Sequence, residues 1–238
     1  MMKVHGICLI AMIALGLLGL TGCPSDTSQS DEEIIPENTL TVFLLDLTRS
    51  FLWLQDAKNH LAPTDQDDFY TKGMIGCQKN NDVIAVVGIT NYAKDEDTII
   101  IPTTIVSNMY DPNIAKQSRQ KLINKLNNID YIDEPDTDMT GALYKAGIIL
   151  SDSRYSGETH EKYLVIYSDL GDSNLHNFNI DLTNVNVVVL FFSPDMKPES
   201  LSQDKPDPDV WKIRFKDWGA KSVNIVYVDN SYGYNPYE

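Results

Sequence analysis

Residues 41–50 read Thr-Val-Phe-Leu-Leu-Asp-Leu-Thr-Arg-Ser. The first five are apolar or β-branched at every position, with no polar alternation, so a strand here has both faces covered. The run then breaks into oxygen-bearing side chains, with Asp46, Thr48 and Ser50 alternating with Leu47 and Arg49. Strands buried on both faces belong to parallel sheets flanked by helices, and ligands of such sheets collect outside the carboxyl ends of the strands.

Working outward, Val83–Ile89, Leu164–Tyr167, Val185–Phe192 and Val223–Val228 repeat the apolar pattern. Thr98–Ile101, closed by Pro102, predicts a short edge strand hairpinned to the Val83 strand through Asn91–Asp97. Helical spacing intervenes four times: Phe51, Leu54 and Leu61; Ile114, Ser118, Leu122 and Leu126; Met139, Leu143, Ala146 and Leu150; and Trp211, Phe215 and Trp218, ended by Gly219. Asp195–Pro208 is a proline-rich stretch that predicts a surface loop. The order β-α-β-β-α-α-β-β-α-β predicts one α/β domain with a doubly wound, mostly parallel sheet, helices on both faces and one antiparallel edge strand.

The amino terminus has another character. Lys3 precedes an apolar run from Ile7 to Leu20, which is too short for a comfortable bilayer span and has the charge pattern of a secretory signal. It ends in Leu20-Thr21-Gly22-Cys23, which resembles the lipobox of bacterial lipoproteins, where a lipid is attached to the cysteine thiol and the chain is cut just before it. That resemblance implies a signal peptide over 1–22 and a lipid anchor on Cys23 in the cell envelope, without specifying the membrane leaflet. Residues 24–38, polar, acidic and proline-punctuated, then form with Cys23 a flexible linker over 23–38. An acidic tract at this place also resembles the export signal of surface-exposed lipoproteins, and a solvated spacer has the same composition. The folded domain is expected over 39–238.

Loss of residues 1–22 removes Lys3 as the sole formally charged residue there, leaving 18 basic and 34 acidic side chains and a net charge of −16. Such a chain repels nucleic acid and anionic membrane surfaces, so membrane contact is expected through the Cys23 lipid only. With Cys23 lipidated, Cys77 is left alone in the remaining chain, which excludes an intrachain disulfide and a cysteine metal site. The four histidines are scattered, with no Ser-His-Asp or Cys-His arrangement and no glycine-rich phosphate loop after a strand.

Three separated segments carry oxygen donors to the same sheet edge. The first is Asp46-Leu-Thr48-Arg-Ser50, the second Asp136-Thr-Asp138-Met-Thr140-Gly-Ala142-Leu143 before the third helix, and the third Ser168-Asp169-Leu170-Gly171-Asp172 after a strand. Carboxylate and hydroxyl oxygens suit a hard cation (Mg²⁺, Mn²⁺ or Ca²⁺) and not Zn²⁺ or Cu²⁺. Asp46, Thr48 and Thr137 would also serve as helix caps. Asp138 and Asp172 read as rim residues or solvated loop acids.

Over residues 39–230 this pattern resembles the von Willebrand factor A (vWA) domain family and its metal-ion-dependent adhesion site. That site has an Asp-x-Ser-x-Ser after the first strand, a threonine before a later helix and an aspartate in a Thr-Asp-Gly after the next strand. Asp46 and Ser50 match directly, Thr48 keeps the hydroxyl of the middle serine, and Asp169 stands in a Ser-Asp-Leu-Gly. The family's spacing to the small residue and leucine selects Thr137 over Thr140. The resemblance implies a non-enzymatic binding module, in which a divalent cation, Mg²⁺ first, is held by Asp46, Thr48, Ser50, Thr137 and Asp169. An acidic side chain of a protein partner would complete its coordination. The alternative is a phosphotransferase resembling the haloacid dehalogenase superfamily, with Asp46 as nucleophile, Thr90 at the second strand and Asp169 and Asp172 on Mg²⁺. Against it, the position of its general acid/base is Thr48, and no catalytic lysine stands out.

Overall fold

Strand β1 (Asn38–Asp46) lies at the centre, parallel to β2 (Val83–Ile89) on one side and to β4 (His160–Ser168) on the other. The computed structural model describes residues 38–228 apart from 49–50, 52–53, 62–73, 76–77, 79–80, 94–97, 106–111, 133–135, 157–158, 173–175 and 193–206. β3 (Ile99–Ile105) pairs antiparallel with β2, and β5 (Val185–Phe192) and β6 (Ser222–Val228) extend the sheet in parallel beyond β4. The order is β3-β2-β1-β4-β5-β6. The chain therefore winds outward in one direction from β1 and in the other from β4, and the gap between their carboxyl ends is the topological switch point.

Alternation along the strands explains why both faces are apolar. Leu40, Val42 and Leu44 of β1 point to one face, with Leu164 and Ile166 of β4. Helix α3 (Met139–Leu150) covers them with Met139, Leu143, Ala146 and Leu150, and α4 (Pro208–Asp217) adds Trp211 and Phe215. Phe43 and Leu45 point the other way, with Val165 and Tyr167, under α1 (Leu54–Leu61) and α2 (Pro112–Asn127). The doubly wound, mostly parallel α/β fold with one antiparallel edge strand is thus present as expected. Lys58 joins the two helices of the second face: its Nζ donates to the carbonyls of Asn127 (3.0 Å) and Ile129 (2.7 Å) at the end of α2, where a cation complements the helix dipole.

Several details differ from the sequence expectation. Pro102 does not close β3 but sits inside it, exposed. Ile101 pairs with Val86 and Thr104 with Ile84, so Pro102 and Thr103 together face one β2 residue, a bulge on an edge strand where a missing N–H costs no ladder bond. The apolar stripe of α2 is shorter than its spacing suggests: Leu122, Ile123 and Leu126 are buried, whereas Ile114 is exposed. Pro208 opens α4 behind the cap Asp207 rather than ending a loop. The signal segment 1–22, Cys23, the linker to residue 37, Ser50, Cys77 and the last ten residues lie outside the described residues, as do most of the hairpin tip and of the proline-rich stretch. Among the described residues no helix is long and apolar enough to cross a membrane.

Candidate functional site

Asp46 is the last residue of β1 and opens onto the switch point, fully buried. Its Oδ1 accepts the backbone N–H of Thr48 at 3.0 Å and the Thr48 hydroxyl at 2.7 Å, so the chain turns tightly around the carboxylate. Oδ2 accepts the hydroxyl of Ser168, the last residue of the neighbouring strand β4, at 2.7 Å. Burial pushes the Asp46 carboxyl up from 3.8 to about 7; bonds from the Thr48 and Ser168 side chains pull it down, and the charge of Asp169 raises it.

Thr137 reaches this site through two anchors. Ile132 donates its N–H to the Leu47 carbonyl at 2.9 Å, forming a short parallel bridge beside Thr48. Asp138 then donates its N–H to the carbonyl of Thr90 at 2.7 Å, beyond the end of β2. Between them the Thr137 hydroxyl is directed onto Thr48 Oγ1, a long hydrogen bond of 3.2 Å. Thr140 is turned elsewhere, its Oγ1 accepting the N–H of His176 at 3.2 Å.

The helix cap is neither threonine. Asp138 caps α3, its Oδ1 accepting the N–H of Gly141 at 2.7 Å. The expectation of a solvated loop acid is therefore wrong for Asp138, which is fully buried. Its Oδ2 has no hydrogen-bond partner among the described residues, and His176 Nε2 lies 3.8 Å from Oδ1. The carboxylate fits only because residue 141 is glycine: a Cβ there would stand 2.6 Å from the Asp138 Cγ.

Asp169 is half-buried, and its Oδ1 accepts the N–H of Gly171 at 3.0 Å. Between them Leu170 takes a positive φ of 60°, in the left-handed region that costs a bulky residue about 1–2 kcal/mol. Three groups hold it there. Its N–H bonds to Ser168 Oγ (2.9 Å), its carbonyl accepts Trp211 Nε1–H from α4 (3.1 Å), and its side chain is fully buried.

No family model matches this chain. No curated protein matches it either. Among solved structures it is similar to an aerotolerance-related membrane protein from Bacteroides fragilis, with 12% identity over 81% of this chain and 92% of that one and a TM-score of 0.43. It is also similar to proximal thread matrix protein 1 of the mussel byssus, with 8% identity over 80% of this chain and 44% of that one and a TM-score of 0.44. A third is the manganese-loaded TRAP protein of Plasmodium vivax, with 12% identity, coverage of 81% and 69%, and a TM-score of 0.36.

Of the residues singled out by sequence, the structure brings Asp46, Thr48 and Thr137 into one hydrogen-bonded cluster and Asp169 within electrostatic range of Asp46. Among the described residues no three His, Cys, Asp or Glu side chains converge, so a cation here depends on the hydroxyls as well as the carboxylates. The donor set fits a small hard cation. Neighbouring ligands of an octahedral ion of Mg²⁺ size stand about 3 Å apart, and Thr48 Oγ1 and Thr137 Oγ1 are separated by 3.2 Å. Ser168, whose hydroxyl bonds Asp46 from the neighbouring strand, was not among the ligands expected from the sequence.

Proposed function

We propose that this chain is a lipid-anchored envelope protein, tethered through Cys23, whose vWA-like domain holds a divalent cation at the switch point and through it binds an acidic side chain of a protein partner. The contact between Thr48 Oγ1 and Thr137 Oγ1 beside the buried Asp46 supports this best, because it joins two hydroxyls from segments far apart in sequence next to a buried carboxylate. A buried carboxylate raised in this way is relieved by a cation, which supplies a positive charge and a coordination position for an outside carboxylate. Asp46 and Asp169 provide the charge, Thr48 and Thr137 neutral oxygens, and Ser50 is assigned from its place in the motif.

The site does not favour the phosphotransferase alternative. Both oxygens of Asp46 accept hydrogen bonds and the side chain is fully buried, and position 48 carries a hydroxyl where that chemistry needs an acid. The direct test is capture of partners from detergent-solubilised membranes on full-length protein. Recovery with Mg²⁺ or Mn²⁺ and loss with chelator is the expected result. Capture that is indifferent to chelator and to Asp46→Asn would overturn the reading.

A further inference from the structure

We propose that Ser168 is the positioning residue of this centre: a single hydroxyl that orients the Asp46 carboxylate and sets the turn carrying Asp169. The inference rests on the reading of the site as a cation centre, and it assigns to Ser168 a role that reading does not require.

The argument begins with proton direction. Ser168 is fully buried at the end of β4, and its Oγ accepts the Leu170 N–H at 2.9 Å. A hydroxyl has one proton to give. Ser168 directs its own to Asp46 Oδ2 at 2.7 Å, the one short bond that this oxygen takes from the neighbouring strand. Asp46 Oδ1 is held from within its own loop by Thr48. Two bonds at Oδ1 leave the carboxylate free to rotate about them, whereas a third at Oδ2, from a different strand, fixes its plane. Charge-assisted bonds of this kind are short and strong.

The other half of the argument is the turn. The Ser168 Oγ to Leu170 N–H bond closes a loop of two residues, and the Asp169 Oδ1 to Gly171 N–H bond closes the next one. The first of these holds Leu170 at its positive φ, together with the indole of Trp211 on the Leu170 carbonyl. Removing the Ser168 hydroxyl would therefore loosen both carboxylates at once, one through its orientation and one through its turn. Preorganised ligands are what a hard cation requires, and outer partners that orient them are commonly worth about 10–100-fold in metal affinity.

The experiment measures Mn²⁺ binding alone, by titration calorimetry, on chelator-stripped full-length protein in detergent. Four chains are compared: wild type, Ser168→Ala, Ser168→Thr and Ser168→Val. Ser168→Ala is expected to stay folded by near-ultraviolet circular dichroism and to bind Mn²⁺ about 10–100-fold more weakly. Ser168→Thr keeps the hydroxyl and is expected to restore affinity to within a few-fold. A purely structural role would lower the melting temperature of the variants and leave the affinity of the folded protein unchanged. Thr and Val share shape and strand preference and differ in the hydroxyl, so this pair carries the test even if Ser168→Ala fails to fold. Equal affinity of the Thr and Val variants, or wild-type affinity in Ser168→Ala, overturns the role of Ser168 while leaving the cation centre standing. Absence of Mn²⁺ binding in the wild type overturns both.

Discussion

The Thr137 hydroxyl donates to Thr48 Oγ1 at 3.2 Å across 89 residues of chain, and the Thr48 hydroxyl in turn donates to Asp46 Oδ1. The chain of bonds ends on a fully buried carboxylate whose other oxygen accepts the Ser168 hydroxyl. It is the charge at the end of this chain of bonds, rather than any one bond, that makes the site testable.

Asp46→Asn keeps the shape and one acceptor for Thr48 or Ser168 while deleting the buried charge. The variant is expected to fold and, in chelator near pH 8, to melt no lower than wild type. Saturating Mg²⁺ or Mn²⁺ should stabilise the wild type alone, by about 2.7 kcal/mol at a hundredfold excess over Kd. If Asp46 served merely to order its own turn, the variant would lose about 1 kcal/mol with or without metal. Thermal melts of both proteins in both conditions separate the outcomes.

Asp46 also imposes a pH dependence. Its carboxyl is raised from 3.8 to about 7 on folding, chiefly by burial. Between those values the folded chain holds a proton that the unfolded chain has released, so apo stability falls as pH rises through the window and levels off above about 7. His60 acts in the opposite sense: burial lowers it from 6.5 to about 4, and stability falls as pH drops through that range. Urea midpoints between pH 4 and 8 should therefore rise with pH more steeply in Asp46→Asn than in wild type. A cation expels the Asp46 proton, so Mn²⁺ affinity should climb with pH up to about 7. Parallel midpoint curves for the two proteins would contradict the buried, raised carboxyl.

Leu170 offers a test of backbone strain. Replacing its buried side chain by Ala or Gly leaves a cavity worth about 2–5 kcal/mol. Glycine alone also relieves the positive φ. Leu170→Gly is expected to be the more stable variant, by about 1 kcal/mol, reversing the usual order of the two residues. Chemical denaturation in chelator checks it, and an alanine variant as stable as glycine would argue against the left-handed conformation.

Cys23→Ser, or treatment with a lipoprotein signal-peptidase inhibitor, tests the anchor. The serine variant is expected to lack the lipid mass and to leave the membrane fraction. Persistence of that variant in membranes after an alkaline wash would point to a different attachment.

Much of the fold was legible because burial on both faces is written residue by residue. Every position of 42–45 and 83–87 is apolar or alanine, and only a central parallel strand demands that. The position of Asp46 at a strand end was legible for the same reason, since the apolar run stops there. The sequence was less informative where direction depends on distant chain. Asp138 has the composition of a solvated loop acid, yet the bonds from Ile132 to Leu47 and from Asp138 to Thr90 draw it beneath the start of α3, and Gly141 leaves room for it. Leucine locally disfavours a positive φ, and Leu170 adopts one because Trp211, on another helix, and Ser168 hold it. Which of Thr137 and Thr140 faces Thr48 is a matter of where a helix begins, and that was decided by its anchorage to β1 and β2. Local chemistry determined which groups line the edge of the sheet; tertiary packing decided which of them meet, because hydrogen-bond partners are chosen by position to within an ångström and position is set by the whole fold.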